Sequence, residues 1–152
     1  MIGGGNGSFI GAVHRIAANL DGQIDLVCGC FSGTPSVSVA SGRNLFLPED
    51  RIYNSYQEMI EEEAELPEAE RMDFVSIVTP DHVHFEPAMM ALKHGFHVVL
   101  DKPVTYTLEE AKALREQVKV SGKLFALTHT YTGYPMVKEA RTRVLRGDIG
   151  KV

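Results

Sequence analysis

The chain has 152 residues, of which 44% are apolar and 23% charged, and it carries a net charge of −5. This length and composition predict one globular domain with a sizeable core, and the negative charge argues against nucleic-acid binding. No apolar run approaches the roughly 20 residues that cross a bilayer and no charged-then-apolar leader opens the chain, so we expect a cytoplasmic protein without membrane partners.

The chain begins with a short apolar segment, a turn rich in glycine (residues 3–8, the glycine turn) and a predicted helix. The spacing Gly5-x-Gly7-x-x-x-Gly11 is a variant of the dinucleotide fingerprint, whose glycines permit a tight turn, close approach of a pyrophosphate and close helix packing. A flexible turn without a ligand is the alternative interpretation. Because the anion in such a site binds N–H groups at the helix N-terminus, the candidate cofactor-binding residues are Gly5, Asn6, Gly7, Ser8, Phe9, Ile10 and Gly11.

The segments on either side of the glycine turn carry two further predictions. Apolar residues at three- and four-residue spacing predict one buried helix face, made of Phe9, Val13, Ile16, Ala17 and Leu20. Only Met1 and Ile2 precede the glycines, whereas a buried parallel strand normally has about five or six residues. We therefore expect a truncated first strand, at the position that is central in the usual sheet order.

Short apolar runs and amphipathic helices alternate along the rest of the chain. The predicted strands are 24–31, 74–79, 97–100 and 124–128. The predicted helices are 36–43, 55–65, 84–94, 107–121 and 135–146, the second and fourth of which open on capping-box sequences. This alternation predicts parallel strands joined by right-handed crossovers, and hence an α/β fold with a Rossmann-type doubly wound parallel sheet.

The two cysteines, Cys28 and Cys30, lie two residues apart on the strand predicted at 24–31. Side chains at this spacing point to the same face and do not bridge each other easily. We expect packed core thiols and no metal site, because so few ligands are available.

In a doubly wound sheet, ligands bind at the carboxyl ends of the strands, so the loops after the strands are the candidate site. The loop after 24–31 opens with Ser32 and contains no carboxylate where NAD-binding proteins often place one. Either NAD or NADP is therefore permitted, and Arg43 could lie near a 2′-phosphate. An ordinary turn without a ribose contact is the alternative for Ser32.

Two later loops carry the remaining candidates. Residues Thr79, Pro80, Asp81 and His84 follow the strand predicted at 74–79, and Asp101, Lys102 and Pro103 (the lysine turn) follow the next strand. A histidine in the first turn of a helix is about as often a structural hydrogen-bond partner as a ligand contact. A surface turn is the alternative for the lysine turn.

With these motifs the chain resembles the Gfo/Idh/MocA family, named after glucose–fructose oxidoreductase, inositol dehydrogenase and a rhizopine-catabolism protein. The resemblance covers nearly the whole chain and rests on the glycine turn, Thr79-Pro80-x-x-x-His84, Gly95-x-His97-Val98-Val99-Leu100 with the lysine turn, 122–134 and 146–152. It implies an NAD(P)-binding Rossmann domain at 1–130. It further implies a connecting segment and helix at 131–152 that lead to a second α/β domain, absent here, which holds most of the substrate.

The resemblance also implies a function. Such a protein transfers hydride between NAD or NADP and the CH–OH or carbonyl group of a sugar- or cyclitol-like substrate. Lys102 would be the catalytic residue, hydrogen-bonded to the substrate oxygen beside the nicotinamide, since a cation stabilises a developing alkoxide. Asp101 would orient Lys102 or the cofactor ribose. Relatives often assemble through the second domain, so the full-length protein could form a homo-oligomer through that domain, whereas this chain is either monomeric or associates non-specifically through an exposed apolar surface. This chain by itself is expected to bind cofactor weakly and catalyse little.

The chain departs from the family pattern at two places. The acid before the lysine is usually glutamate, so Asp101 is one methylene shorter. The histidine proposed as general acid–base in relatives lies in their second domain, and His129 does not match its motif. His129, Tyr131 and Tyr134 either line the substrate end of the cleft or pack at a hinge.

Two other functional classes compete with the oxidoreductase interpretation. A regulatory or sensor module would bind NAD(P) through the same turn without turnover, but it would not need Lys102. A methyltransferase generally places an acid after its second strand, and the loop at Ser32 has none.

Overall fold

The computed structural model describes residues 1–151 and contains a parallel four-stranded sheet in the order β1–β2–β3–β4. The strands are β1 (Ile2–Gly3), β2 (Phe74–Val78), β3 (His97–Asp101) and β4 (Phe125–Thr128). The helices are α1 (Phe9–Asn19), α2 (Pro35–Asn44), α3 (Tyr56–Glu65), α4 (Phe85–Lys93), α5 (Leu108–Ser121) and α6 (Pro135–Arg146). Val152, the last residue of the predicted connecting segment, lies outside the described residues.

Helices cover both faces of the sheet. Ile77 and Val78 are successive residues of β2 and belong to two separate core clusters, because successive side chains of a strand point to opposite faces. The larger cluster includes Met59 of α3 and Leu92 of α4, and the smaller one is packed by Ile10 of α1. The predicted α/β architecture with a doubly wound parallel sheet is confirmed.

The capping sequences lie where the sequence predicted them. Ser55 accepts a hydrogen bond from the Glu58 backbone N–H at the start of α3. At the start of α5, Thr107 and Glu110 form a reciprocal capping box. Gly122 ends α5 in the left-handed conformation, at φ = 65°.

The strand predicted at 24–31 is wrong as a regular element. Only two isolated parallel bridges form there, between Ile2 and Cys30 and between Gly29 and Ile52. A ladder needs a partner of matching length, and β1 offers two residues. The bridges nevertheless extend the sheet beyond β1, first to Gly29 and Cys30 and then to Ile52, which completes the 3-2-1-4-5-6 order of a dinucleotide-binding sheet. The outermost segment, at Ile52, was not predicted from the sequence.

The predicted buried face of α1 is also wrong, because the helix is rotated relative to the apolar pattern. Phe9, Ile16 and Leu20 are 82%, 65% and 81% exposed. The less exposed residues of the helix are instead Ile10, Gly11, Ala12, His14, Arg15 and Ala18. A Cβ atom on Gly11 would lie 2.3 Å from the Cα of Gly4, so the two backbones touch. This glycine contact, and not the apolar periodicity, fixes the rotation of the helix.

A buried ion pair fastens α3 to the outer part of the sheet. The Glu63 side chain is fully buried and accepts two hydrogen bonds from Arg51, at 2.7 and 2.8 Å. It also accepts the Tyr53 hydroxyl at 2.9 Å and the Met72 backbone N–H at 2.9 Å. Burial, with the nearby carboxylate, raises the pKa of Tyr53, so the phenol stays a donor.

Cys28 and Cys30 are buried free thiols, as the prediction of packed core thiols requires. Burial raises the pKa of both thiols. Among residues 1–151, no group of three or more His, Cys, Asp and Glu side chains is arranged to hold a metal ion. Within the same residues no helix has the length and apolar character needed to cross a membrane.

Replacing Glu63 tests the buried ion pair. We expect Glu63→Gln to lower the free energy of unfolding by about 2–3 kcal/mol, because the partly buried Arg51 guanidinium loses its counter-charge. Urea denaturation followed by circular dichroism measures the change. The control is Glu49→Gln, which breaks the exposed pair with Arg43 and should leave the denaturation midpoint nearly unchanged. Equal midpoints for the two variants would contradict the assignment.

Replacing Gly11 tests the backbone contact. Gly11→Ala should lower the free energy of unfolding by about 1–3 kcal/mol, since the added Cβ pushes α1 away from Gly4 despite the better helix propensity of alanine. Thermal unfolding measures the shift. Gly133→Ala is the control, because a Cβ there meets no atom within 4 Å. A Gly11→Ala variant as stable as the control would rule out the contact as the determinant of helix rotation.

Candidate functional site

Loops from neighbouring strands converge at the carboxyl edge of the sheet, as predicted. The glycine turn follows β1, the Thr79 loop follows β2 and the lysine turn follows β3. The register holds these strand ends level, with Gly3 opposite Val78 and Asp101 opposite Thr128. The candidate residues taken from separate parts of the sequence therefore lie along one edge.

The glycine turn has a backbone that only glycine adopts readily. Gly4 and Gly7 have φ values of 75° and 82°. Gly5 donates a backbone hydrogen bond to the carbonyl oxygen of Phe31 at 3.2 Å, which ties the turn to the next segment of the sheet. A Cβ on Gly7 would meet nothing within 4 Å, so the outer side of the turn is open.

A cleft of about 160 Å³ lies between the glycine turn, α1 and α2. It is lined by Gly4, Gly5, Asn6, Gly7, Ser8, Arg15, Ser41, Asn44 and Leu45. The α2 residues and Arg15 were missed by the sequence analysis, because short polar side chains and a lone arginine on a helix carry no motif. Their contribution is visible only once α2 packs beside the turn.

Two of the missed residues hold the turn in place. The backbone N–H of Asn6 donates to Ser41 Oγ at 2.9 Å, and Asn44 Nδ2 donates to Asn6 Oδ1 at 3.3 Å. Ser41 Oγ in turn donates to the Val37 carbonyl oxygen at 2.7 Å, so the contact is anchored in α2. Asn6 is thus fixed by α2 and not only by its own turn.

Arg15 places a positive charge beneath the glycine turn. Its Nη1 donates to the carbonyl oxygen of Gly4 at 2.7 Å. Burial lowers the pKa of the guanidinium from its ordinary value, yet arginine remains charged at neutral pH. The cleft therefore has a cationic wall, which favours an anionic group.

The start of α1 faces the same cleft. Ser8 is the N-cap by position, but its side chain accepts no hydrogen bond from the first turn of the helix. The Phe9 ring is exposed, whereas Ile10 packs against the smaller core cluster. The first N–H groups of a helix have no intrahelical partner and carry a partial positive charge, so they suit a phosphate.

Ser32 follows Phe31, whose carbonyl binds the glycine turn, and its own hydroxyl accepts the Thr34 N–H at 3.1 Å. Arg43 is engaged elsewhere. Its guanidinium forms a bidentate pair with Glu49, with N···O distances of 2.7 and 2.9 Å. Its predicted proximity to a 2′-phosphate would therefore require that pair to open.

In the loop after β2, Thr79 and Pro80 stand at the sheet edge and Asp81 is exposed. Asp81 Oδ1 accepts the backbone N–H of His82 at 2.9 Å. The Thr79 hydroxyl is buried and has no hydrogen-bond partner among the described residues. A buried hydroxyl without a partner is costly unless another group supplies one.

His84 lies beneath this loop and not in the open cleft. It is 1% exposed. Its Nδ1 is 2.7 Å from the carbonyl oxygen of Pro103, and its Nε2 is 2.9 Å from that of Thr79. The ring therefore contacts the backbone of two loops.

The lysine turn begins with a hydrogen-bonded residue, Asp101, and continues with an exposed side chain, Lys102. Asp101 is buried, and its Oδ1 accepts the hydroxyl of Thr128 at 2.7 Å. Lys102 is exposed, and the peptide bond that joins it to Pro103 is cis. The ammonium group of Lys102 is thus presented to solvent at the end of a buried strand.

His14 of α1 reaches the same place and was also missed by the sequence analysis. Its Nε2 is 3.8 Å from Asp101 Oδ1, and its Nδ1 is 3.1 Å from Ser76 Oγ. Burial lowers the pKa of His14, and the nearby Asp101 carboxylate offsets part of this effect. Its position one turn after Gly11, on the packed face, could have identified it only if the helix rotation had been known.

His129, Tyr131 and Tyr134 follow β4, and all three are exposed. The two tyrosine rings pack on each other with centroids 5.8 Å apart. The following helix, α6, has no buried residue. These side chains lie beyond the same sheet edge.

The residues present fit a dinucleotide. The turn approaches α1 so closely at Gly11 and Gly4 that no side chain separates them, and the cleft beside it combines a helix N-terminus with Arg15. A pyrophosphate requires this arrangement of close backbone and positive charge.

Comparison with known proteins agrees with this geometry. Residues 1–129 match the model of the Gfo/Idh/MocA oxidoreductase family, described as the NAD-binding Rossmann fold. An uncharacterized oxidoreductase of Bacillus subtilis, YfiI, is 33% identical over 153 aligned residues that span all of this chain and 38% of that protein.

Two solved structures extend the comparison. An oxidoreductase from Sinorhizobium meliloti is 51% identical, with a TM-score of 0.89, over 100% of this chain and 42% of that one. An inositol dehydrogenase homolog from Azotobacter vinelandii, complexed with NADH and myo-inositol, is 36% identical, with a TM-score of 0.94, over 99% of this chain and 39% of that one.

The chain thus spans about two fifths of the length of these relatives. The family model matches the glycine turn, the sheet and the lysine turn together, which are the parts that form the cleft edge. On this match and this geometry, the chain belongs to the Gfo/Idh/MocA oxidoreductase family and is its NAD(P)-binding Rossmann domain.

Proposed function

We propose that this chain is the cofactor-binding half of an oxidoreductase that transfers hydride between NAD or NADP and the CH–OH or carbonyl group of a sugar- or cyclitol-like substrate. The observation that carries the proposal is the exposed Lys102, presented at the same sheet edge as the glycine turn. The Azotobacter homolog, bound to NADH and myo-inositol, supports the substrate class.

The cofactor would lie along the carboxyl edge of the sheet, in contact with the loops after β1, β2 and β3. The glycine turn, the start of α1 and Arg15 would bind the pyrophosphate, while Ser32 would lie near the ribose of the adenosine half. Thr79, Pro80 and Asp81 would line the path towards the lysine turn. When bound, the nicotinamide would supply the hydride acceptor or donor.

Lys102 is the proposed catalytic residue. Its ammonium would donate a hydrogen bond to the substrate oxygen and stabilise the negative charge that develops there as the hydroxyl proton passes to a general base of the second domain, while hydride leaves the adjoining carbon for the nicotinamide. The side chain is exposed, so it is free to meet a substrate, whereas its neighbour Asp101 is fixed by Thr128. Asp101 would therefore hold the backbone of the lysine turn against β4. It occupies the position where the family usually has the longer glutamate.

The form of the cofactor follows from the loop after Phe31. No carboxylate stands between Ser32 and Pro35, so nothing there repels a 2′-phosphate. We propose that the cleft admits NADP as well as NAD. The ion pair of Arg43 with Glu49 would open if the arginine contacts that phosphate.

The proposal also covers the cellular compartment, the partners and the domain boundaries of the protein. We place it in the cytoplasm, supported by the free thiols Cys28 and Cys30, since reducing compartments preserve thiols. Its partners would be small molecules and further copies of the full-length protein, joined through a second domain that follows the connecting segment 131–152. Residues 1–130 would form the cofactor domain.

Cofactor titration tests the binding part of the proposal. NADH or NADPH should bind saturably, with an increase in nicotinamide fluorescence. We expect Gly5→Ala to weaken this binding at least ~10-fold, because a Cβ there would lie 2.6 Å from Ser41 Oγ and displace the turn. Gly133→Ala is the matched control. Failure of the folded wild type to bind either cofactor would refute the assignment.

A lysine replacement tests the catalytic part. In the full-length protein, Lys102→Ala should lower kcat by ~10²–10³-fold with little change in the Kd for NADH, because the lost interaction is made to the reacting oxygen. Steady-state assays with myo-inositol and related polyols measure it. Lys112→Ala, on the exposed side of α5, is the control. Unchanged turnover in Lys102→Ala would remove Lys102 from the mechanism, whereas absence of turnover in the wild type with intact NADH binding would favour a cofactor sensor over an enzyme.

A further inference from the structure

We infer that His84 is a positioning residue: it fastens the lysine turn to the loop after β2 and so fixes where Lys102 stands. The inference rests on the proposed catalytic role of Lys102. It differs from a direct cofactor contact, which sequence reasoning predicted for His84, because the ring is 1% exposed.

The geometry joins two loops through one side chain. His84 is the N-cap of α4 and has helical backbone angles, so its ring starts from a rigid element. Nδ1 lies 2.7 Å from the Pro103 carbonyl oxygen and Nε2 lies 2.9 Å from the Thr79 carbonyl oxygen. These carbonyls follow β3 and β2, which are adjacent parallel strands. The ring therefore spans the gap between neighbouring loops at the sheet edge.

Hydrogen bonds between the His84 ring and its two partners can run in one direction only. Both partners are carbonyl oxygens, which only accept hydrogen bonds, so the ring must donate. A neutral imidazole donates one of the two bonds and the imidazolium donates both. His84 thus contacts the backbone carbonyls of two loops that follow adjacent strands.

The other end of the lysine turn is held separately. Asp101 Oδ1 accepts the Thr128 hydroxyl at 2.7 Å and faces His14 Nε2 at 3.8 Å. The turn is consequently anchored at its first residue by β4 and α1 and at its last residue by His84. Lys102 lies between the two anchors and its side chain alone is free.

This arrangement matters because lysine has a long flexible stem. Fixing the backbone reduces the volume that the ammonium must search, and a misplacement of about 1 Å in a catalytic group can cost ~10²-fold in rate. Loss of the His84 anchor should therefore lower kcat and leave the glycine turn, and with it the binding of the pyrophosphate, intact.

The experiment compares three replacements of His84 by amide hydrogen exchange and by kinetics. His84→Leu removes every ring donor, His84→Asn keeps a donor near the Nδ1 position, and His84→Gln keeps one near the Nε2 position. We expect amide exchange of Asp101 and Lys102, the residues of the turn that carry a backbone N–H, to rise ~10-fold in the Leu and Gln variants and to stay near the wild-type rate in the Asn variant. If the Leu variant does not fold, the comparison of Asn with Gln decides.

Kinetics of the full-length protein give the second readout. His84→Leu should lower kcat ~10–100-fold, with the Kd for NADH changed by less than about twofold, and His84→Asn should recover most of kcat. In a Lys102→Ala background, His84→Leu should cause no further loss, since it acts through Lys102. A general destabilisation would instead reduce activity in both backgrounds.

The outcomes separate this inference from the proposed function. Unchanged exchange at Asp101 and Lys102 in His84→Leu, or equal exchange in the Asn and Gln variants, would overturn the positioning role whatever the assays show. If Lys102→Ala retains full turnover while exchange behaves as expected, the proposed catalytic role fails and His84 remains an anchor of the turn. Full agreement of exchange and kinetics supports both.

Discussion

The contact between the backbones of Gly4 and Gly11 determines how the rest of the site is built. No side chain fits between them, because a Cβ on Gly11 would lie 2.3 Å from the Gly4 Cα. This contact rotates α1 so that His14 faces Asp101 and Arg15 reaches the Gly4 carbonyl. It also leaves an apolar face of the helix in solvent. The helix is thus oriented to form the site, and as a result its own apolar residues are not buried.

The second constraint is the parallel sheet, which brings the ends of separate strands to one edge. The register places Asp101 opposite Thr128, so the hydroxyl of one strand end anchors the carboxylate of the next. Helix α2 completes the cleft through Ser41, which accepts the Asn6 N–H. The rigid parts of the site are therefore backbone and short polar side chains, whereas the long side chain of Lys102 is free to meet a substrate.

Hydrogen-bond direction separates the supporting residues from the reacting ones. The buried ring of His84 and the partly buried hydroxyl of Thr128 contact groups of the protein itself. The groups left open are the first N–H groups of α1, the outer side of the glycine turn and the Lys102 ammonium. Only such open groups can bind a ligand, and they follow the line that a dinucleotide and its substrate occupy in a doubly wound sheet.

The sequence by itself determined the kinds of elements, because hydrophobic periodicity and caps such as Thr107 with Glu110 are local. It also determined that the glycine turn and the lysine turn belong to one edge, since parallel strands present their carboxyl ends together. The rotation of α1, the sheet segment at Ile52 and the anchoring of His84 to Pro103 were decided only by the tertiary structure. These features depend on backbone approach between residues far apart in the chain, which no local pattern records.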